Sequence, residues 1–270
     1  MRCGRAPSGS PRRQVRSRIG HVVVALTAAV TLAVPALAAE PRAEPVTFDT
    51  ADGFALHADL WRASAAQAPV VILLHQFNQD RRSWSALVPA LSRAGFTVLA
   101  LDQRGQGEST EQRTSQGARV LRVQELPRDE VGPIVSAGTA DVAAARAFLE
   151  RQGVAVDRLA LVGSSYGCSV SLLAAREVPG VRALALLSPG VAYFGVDIRE
   201  AAARFPGALL AVAAADDPES AESVRVLAVA RGKGTETIAY PTGGHGVALL
   251  AAHPALTARI ADFLAKAEAP

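Results

Sequence analysis

The sequence predicts an α/β protein built on a doubly wound, mostly parallel β-sheet. From residue 69 onward, short apolar runs of strand length alternate with amphipathic segments of helix length. Strands that are apolar at nearly every position are typical of parallel sheets, because helices cover both faces of such sheets. Residues 46 to 62 instead alternate apolar and polar positions around Ala51-Asp52-Gly53, which predicts an antiparallel hairpin at one edge.

The six apolar runs are interpreted as strands of the sheet, and the segments between and after them as helices. The predicted strands span residues 69–74, 96–101, 159–162, 181–187, 208–213 and 236–240. The predicted helices span residues 83–94, 139–152, 166–177, 219–231 and 247–267. Residues 108–136 are polar and rich in Gly, Pro and charge, which indicates an excursion over the surface. Ligands bind outside the carboxyl ends of the strands in such sheets, so the residues after each strand are the candidates for a site.

The amino-terminal segment predicts export. It contains six arginines before Ile19, then an apolar run over residues 21–34, then Ala36-Leu37-Ala38. A basic region, an apolar core and a small-x-small site together describe a secretory signal peptide. We therefore expect a signal peptide over residues 1–38, one globular domain over residues 39–270, and a periplasmic or secreted mature protein. Retention of the apolar run as a membrane anchor is the alternative.

Charge and cysteine content narrow the classes of partner and cofactor. The chain has 28 Lys and Arg residues and 25 Asp and Glu residues. The mature part keeps all 25 acidic residues but only 22 of the basic ones, so acidic residues are in excess there. Nucleic acids and anionic membranes need clustered positive charge, so we expect neither as a partner. Cys168 is the one cysteine beyond the signal segment, which excludes an intramolecular disulfide. The sequence has no dinucleotide-binding glycine pattern, Walker loop or metal-spaced Cys and His cluster, so we expect no cofactor and no metal.

The segment Gly163-Ser164-Ser165-Tyr166-Gly167 follows the strand that ends at Val162 and precedes a helical pattern. It is a G-x-S-x-G motif in the strand–turn–helix context that gives the motif its meaning. A nucleophile raised above a sheet on a sharp turn leaves no room for side chains at the flanking positions, which explains the glycines. The context predicts that Ser165 is an exposed nucleophile at a helix amino terminus.

From about residue 46 to its carboxyl terminus the chain resembles the α/β-hydrolase family, most closely dienelactone-hydrolase-like members and small esterases. The segment from Asp102 to Ser109 resembles the family's Asp-x-Arg-Gly-x-Gly-x-Ser, with Asp102 and Arg104 as structural ties. The resemblance implies an α/β-hydrolase fold whose catalytic domain covers residues 39–270. A dedicated cap domain is not expected, because the stretch between the predicted strands at 181 and 208 permits only a small flap.

The resemblance also implies a catalytic triad in the chain order nucleophile, acid, histidine. Asp217 falls where the family acid is expected, with Asp216 as the alternative, and either residue could instead cap the following helix. His245 falls in the loop of the family histidine. A serine hydroxyl needs an imidazole to accept its proton, and the imidazole needs a carboxylate to fix its tautomer. Ser165, Asp217 and His245 are therefore the expected catalytic residues.

An oxyanion hole completes such a site, and the family forms it from the amide after the nucleophile and an amide in the loop after an earlier strand. Here these are the amides of Tyr166 and Phe77. Gln76 stands where the family more usually has glycine, which leaves open whether the amide of Gln76 or that of Phe77 points inward. His75 occupies the place of a structural histidine that bridges loops.

These features predict a serine hydrolase that cleaves a small-molecule carboxylic ester, with a thioester or amide as the lesser option, through an acyl-serine intermediate at Ser165. Two other classes remain compatible with the same fold. One is an acyltransferase or a cofactor-free haloperoxidase that uses the same triad. The other is a binding protein that keeps the fold without catalysis.

Overall fold

The computed structural model describes residues 42–268, and an eight-stranded sheet organises them. The strands of this sheet are β1 (Glu44–Asp49), β2 (Ala55–Trp61), β3 (Val70–Leu74), β4 (Thr97–Leu101), β7 (Leu159–Ser164), β8 (Val181–Leu187), β9 (Ala208–Ala214) and β10 (Thr235–Tyr240). A separate hairpin consists of β5 (Glu111–Thr114) and β6 (Gly117–Val120). The predicted signal peptide over residues 1–38 lies outside the described residues.

The order of strands across the sheet is β1-β2-β4-β3-β7-β8-β9-β10. Strand β2 pairs antiparallel with β1 and with β4, whereas every pair from β4 to β10 is parallel. This arrangement confirms the predicted α/β class and the antiparallel amino-terminal hairpin at the sheet edge. It also gathers the carboxyl ends of the parallel strands at one edge, where the predicted site residues follow them.

Eight α-helices connect the strands within residues 42–268. They are α1 (Val88–Arg93), α2 (Val131–Ala137), α3 (Thr139–Arg151), α4 (Tyr166–Glu177), α5 (Arg199–Arg204), α6 (Pro218–Arg231), α7 (Ala248–Ala252) and α8 (Ala255–Ala267). None of these helices has the length and apolar content needed to cross a bilayer.

Two of the predicted helices differ from the structure. The helix predicted over 83–94 is shorter, because residues 81–84 form a 3-10 turn ahead of α1. The helix predicted over 247–267 is divided into α7 and α8 at His253, which has φ −129° and ψ 76°. Pro254 follows it, and a proline disfavours helical backbone in the preceding residue.

Residues 108–136 contain more regular structure than the sequence pattern indicated. They include the hairpin β5–β6, two 3-10 turns and the first part of α2. The backbone amide of Arg113 donates to the Gly53 carbonyl at 2.8 Å, which joins this hairpin to the turn between β1 and β2. All four residues of β6 are exposed, so no apolar periodicity marks this strand.

The core consists of two apolar layers, one on each face of the sheet. Along β3, Val70, Ile72 and Leu74 pack in the layer that contains side chains of α3 and α4. Val71 and Leu73 point to the opposite layer, which contains side chains of α1 and α8. This alternation follows the two-residue period of a strand. Because both layers are apolar, β3, β4 and β7 are buried at every residue, which explains their continuous apolar runs.

Candidate active site

Ser165 lies on the turn between β7 and α4 with φ 48° and ψ −109°, and it is buried, not exposed as predicted. A positive φ is strained for a residue with a Cβ atom, and such strain is stored where the surrounding structure holds it. The Ser165 amide donates to the Leu187 carbonyl at 2.9 Å, and the Ser165 carbonyl accepts from the Cys168 amide at 2.9 Å. These bonds fix the turn to β8 and to the first turn of α4.

The glycines of the motif are required by packing. A Cβ atom on Gly163 would overlap the backbone of Gly167, and one on Gly167 would overlap the Leu74 carbonyl at the end of β3. The first turn of α4 therefore lies directly against the loop that follows β3. This contact brings the Ser165 turn beside the loop predicted to supply an oxyanion-hole amide.

Asp217 and His245 form a close pair, with 2.7 Å between Asp217 Oδ2 and His245 Nδ1. Asp217 is also the amino-terminal cap of α6, where its side chain accepts from the Ser220 amide at 3.4 Å. Burial raises the pKa of Asp217, but the hydrogen bonds from Ser220 and His245 outweigh burial and hold that pKa below its ordinary value of 3.8. An ionised carboxylate at Nδ1 keeps the proton on that nitrogen and leaves Nε2 available as a base.

Asp216 has a different role in the loops. Its two carboxylate oxygens accept from the amides of Gly243 and Gly244 at 3.0 and 3.1 Å. Asp216 therefore binds the backbone of the loop that carries His245, and Asp217 is the aspartate that contacts the imidazole. The structure thus brings the predicted acid and the predicted base together, while their catalytic roles stay predictions.

The loop of His245 is also hydrogen-bonded to two side chains, those of Ser188 and Gln76, for which the sequence analysis predicted no role. The Gly246 amide donates to Ser188 Oγ at 2.8 Å, and the Val247 amide donates to Gln76 Oε1 at 3.0 Å. Gln76 Oε1 also accepts from Ser164 Oγ at 2.9 Å. The sequence signal for Gln76 was its departure from the family glycine at this position.

Three backbone amides remain available near Ser165. Within residues 42–268, the amides of Gln76, Phe77 and Tyr166 donate to no other protein group, whereas the Asn78 amide donates to Gln106 Oε1 at 2.7 Å. The predicted oxyanion hole of Tyr166 with Phe77 or Gln76 is thus compatible with the structure, and the choice between the last two stays open.

Aromatic rings form one wall beside these amides. The Phe77 ring lies 5.1 Å from the Phe194 ring and 6.2 Å from the Tyr166 ring, measured between centroids. Phe194 belongs to the flap between β8 and β9, and the Arg128 guanidinium lies 4.9 Å from its ring centroid. A cavity of about 520 Å³ is lined by Phe194, Arg128 and three neighbouring residues. Phe77 and Phe194 are only half-buried, so the wall offers apolar surface to a ligand.

Structural ties support this edge of the sheet, as the resemblance implies. Burial lowers the pKa of His75, which is therefore neutral, and its Nε2 accepts from the Gln103 amide at 3.2 Å. Arg104 Nε donates to Asp141 Oδ1 at 2.7 Å, whereas Asp102 pairs with Arg81. No group of three or more His, Cys, Asp and Glu side chains in the described part of the chain is arranged to hold a metal ion.

Comparison with known sequences places part of the chain close to hydrolases. Epoxide hydrolase B of Mycobacterium tuberculosis (strain ATCC 25618 / H37Rv) is 40% identical over 86 residues, which are 32% of this chain and 23% of that protein. Epoxide hydrolase A of the same organism is 56% identical over 43 residues, or 16% of this chain and 13% of that protein. The chain thus matches about a quarter or less of the length of these relatives.

Solved structures share the fold over most of the chain. The esterase Pf2001 of Pyrococcus furiosus has a TM-score of 0.67 at 16% identity and matches 85% of this chain and 94% of its own. A dienelactone hydrolase of Anabaena variabilis ATCC 29413 has a TM-score of 0.61 at 16% identity, with 84% and 97% of the two chains matched. Residues 69–226 match the family model described as alpha/beta hydrolase fold. The chain therefore belongs to the α/β-hydrolase family.

Proposed function

We propose that this protein is a serine hydrolase that cleaves carboxylic esters of small molecules through an acyl-serine intermediate at Ser165. The observation that supports the proposal most directly is the 2.7 Å pairing of Asp217 with His245 in a loop packed against the Ser165 turn. A Cβ atom on Gly246 would lie 2.6 Å from Ser164 Oγ, which shows how closely the two loops approach. Nucleophile, base and acid thus belong to adjoining loops at one edge of the sheet.

In the proposed mechanism, Ser165 Oγ attacks the ester carbonyl carbon while His245 Nε2 accepts the hydroxyl proton. The resulting oxyanion binds the Tyr166 amide and the amide of Gln76 or Phe77. Collapse of this intermediate breaks the bond to the alcohol, which leaves with the proton held by His245. Water then attacks the acyl-serine, again with His245 as base, and releases the carboxylic acid. Asp217 stabilises the imidazolium in both halves of the reaction.

The similarity to epoxide hydrolases suggests epoxide opening as a second candidate. Attack of Ser165 Oγ on an epoxide carbon would form an ether, which has no carbonyl group for water to attack. The enzyme would then remain alkylated after one turnover, whereas an acyl-serine ester is hydrolysed. The serine at the nucleophile position therefore favours acyl transfer to water over epoxide hydrolysis.

The decisive experiment measures hydrolysis of p-nitrophenyl esters of increasing acyl length, together with labelling by a fluorophosphonate probe. We expect turnover and labelling in the native enzyme and loss of both in Ser165→Ala. Ser171→Ala is the matched control, because Ser171 is a buried serine of α4 whose hydroxyl donates to the Gly167 carbonyl at 2.7 Å. A folded Ser165→Ala protein that keeps full esterase activity would contradict the assignment.

The same experiment separates the other classes. A binding protein without catalysis would show neither turnover nor labelling. An acyltransferase would be labelled but would prefer added alcohol or amine over water as the acceptor, and a haloperoxidase would require halide and peroxide. Turnover of styrene oxide with unlabelled Ser165 would favour the epoxide reaction.

We also propose that the protein is exported and acts in the periplasm or outside the cell. The proposal rests on the amino-terminal pattern of basic residues, apolar run and Ala36-Leu37-Ala38. Intact-mass measurement of the protein from the producing cell should show an amino terminus at or near Ala39. An uncleaved terminus recovered with the membrane fraction would favour the anchor.

A further inference from the structure

The carboxamide oxygen of Gln76 lies between the two loops that carry Ser165 and His245. It accepts from Ser164 Oγ at 2.9 Å and from the Val247 amide at 3.0 Å. Ser164 directly precedes the nucleophile, and Val247 follows the imidazole by two residues. One oxygen atom therefore joins the turn of the nucleophile to the loop of the base.

The orientation and position of this carboxamide are fixed. A backbone amide can only donate, so the Gln76 atom that faces Val247 must be the oxygen. The main chain is held as well, because the Gln76 carbonyl accepts from His75 Nδ1 at 2.8 Å. His75 Nε2 accepts from the Gln103 amide, so the proton of this neutral ring is on Nδ1.

Gly246 shows how tightly the base loop fits against this oxygen. Its φ is +65°, and a Cβ atom there would overlap Gln76 Oε1. Its amide donates to Ser188 Oγ at 2.8 Å. The residue next to His245 thus has Gln76 on one side and a hydrogen bond to the end of β8 on the other, which leaves the loop backbone little freedom.

We propose that Gln76 is a positioning residue for the triad, whose side chain holds the loop of His245 at the angle that the proton transfer from Ser165 requires. This inference rests on the proposed function. The Gln76 side chain acts through the Val247 amide and the Ser164 hydroxyl and does not contact substrate. Its loss leaves binding surfaces intact and disturbs a geometry on which the rate depends, since a displacement of about 1 Å in an active site can lower the rate about 100-fold.

The test compares two substitutions at Gln76 in the full-length protein. Gln76→Met keeps the length of the side chain but removes the acceptor, and kcat for a p-nitrophenyl ester should fall about 10- to 100-fold with KM changed less than about threefold. Gln76→Glu keeps an acceptor oxygen at the same place and should recover kcat to within about threefold of the native value. Fluorophosphonate labelling should slow in parallel with kcat.

Gln112→Met is the matched control for loss of a hydrogen-bonded glutamine side chain. Gln112 lies in β5, outside the loops of Ser165 and His245, donates to the Asp52 carbonyl at 2.8 Å and accepts from Arg119 Nε at 2.7 Å. Its replacement should lower the melting temperature while kcat stays within about twofold of native. If Gln76 only stabilised the fold, Gln76→Met and Gln112→Met would have the same effect on kcat. Equal kcat losses in the two variants therefore overturn the proposal.

Ser164→Ala provides an independent measurement should Gln76→Met fail to fold. It removes one of the two bonds to Gln76 Oε1 with little change in volume, and kcat should fall about three- to tenfold. Native kcat in Ser164→Ala, or failure of Gln76→Glu to recover activity lost in Gln76→Met, would overturn the proposal. Failure of the proposed function is a separate result, because it would appear as esterase activity that persists in Ser165→Ala.

Discussion

The exchange of each loop aspartate for asparagine separates the acid of the proposed triad from its neighbour. Asp217→Asn keeps the shape of the side chain but removes the charge that faces His245 Nδ1 at 2.7 Å. The imidazole can then bind the carboxamide in either tautomer, and a proton on Nε2 prevents it from accepting the serine proton. Asp216→Asn keeps one acceptor oxygen for the two amides that Asp216 binds.

The expected magnitudes differ by orders of magnitude. The corresponding loss in a chymotrypsin-type triad is about 10⁴ in kcat, or about 5.5 kcal/mol of transition-state stabilisation, and we expect a similar loss in Asp217→Asn. Asn caps a helix as well as Asp, so α6 should lose less than about 0.5 kcal/mol of stability. In Asp216→Asn, one of two exposed hydrogen bonds is weakened at a cost of about 1 kcal/mol, which predicts a decrease in kcat of about tenfold or less.

The assay is steady-state ester hydrolysis for both variants at equal folded concentration, with thermal unfolding as the measure of stability. A ratio of at least about 100 between the two kcat values supports Asp217 as the acid. If Asp216→Asn is the more impaired variant, the roles are exchanged. If neither variant loses more than about tenfold, the carboxylate at His245 Nδ1 is not the catalytic acid.

Three further predictions follow from packing and burial. Gly246→Ala should lower kcat about 100-fold, because its Cβ would overlap Gln76 Oε1 and displace the loop of His245. Gly153→Ala is the control, because Gly153 also has a positive φ but lies in open space, so this variant shows the effect of backbone strain alone. Phe194→Ala should raise KM about tenfold for aromatic esters and leave that for acetate esters unchanged, as steady-state kinetics would show. Burial raises the pKa of Glu268 to about 7 from an ordinary 4.5, so the native state keeps a proton that the unfolded chain has lost, and stability decreases as pH rises through this window. Glu268→Gln should therefore raise the melting temperature by about 2–4 °C at pH 8, for a screened effect of about 1 kcal/mol, and leave it unchanged at pH 4.

Each of these expectations has a clear opposite result. Equal kcat losses in Gly246→Ala and Gly153→Ala would attribute the effect to backbone strain and not to the contact with Gln76. An unchanged KM for aromatic esters in Phe194→Ala would place the acyl pocket elsewhere. A pH-independent stabilisation by Glu268→Gln would show that the carboxyl group does not retain its proton on folding.

The central sheet could be predicted because burial on both faces leaves a strong local pattern. Val70–Leu74 and Thr97–Leu101 are apolar or buried throughout, and their predicted bounds are within one residue of the structure. The exposed strand Gly117–Val120 has no such pattern, since it pairs within its own hairpin and adds no apolar face to the core. The division of the last helix at His253 depends on a single proline, which a periodicity argument over the whole segment did not weigh.

The site shows the same contrast between local and distant information. The turn of Ser165 is encoded within five residues, because the glycines on both sides have no space for a Cβ atom. The choice between Asp216 and Asp217 depends on the path of a loop that begins after β10, so local spacing left both open. Gln76 bridges Ser164, which is 88 positions away, and Val247, which is 171 positions away. No short motif encodes contacts at such separations.

Asp217 connects the acidity of the medium to the integrity of helix α6. The carboxylate that contacts His245 also accepts from the Ser220 amide, and Pro218 at the first helical position has no amide hydrogen to offer. The pKa of Asp217 is held below 3.8, so its stabilising bonds are still present at pH 3.8. They are lost together as the pH falls through the lowered pKa. Protonation of Asp217 in strong acid therefore weakens its bond to His245 and frays the first turn of α6. Faster amide exchange at Ser220 should report this titration, because the Ser220 amide donates to the carboxylate that contacts His245.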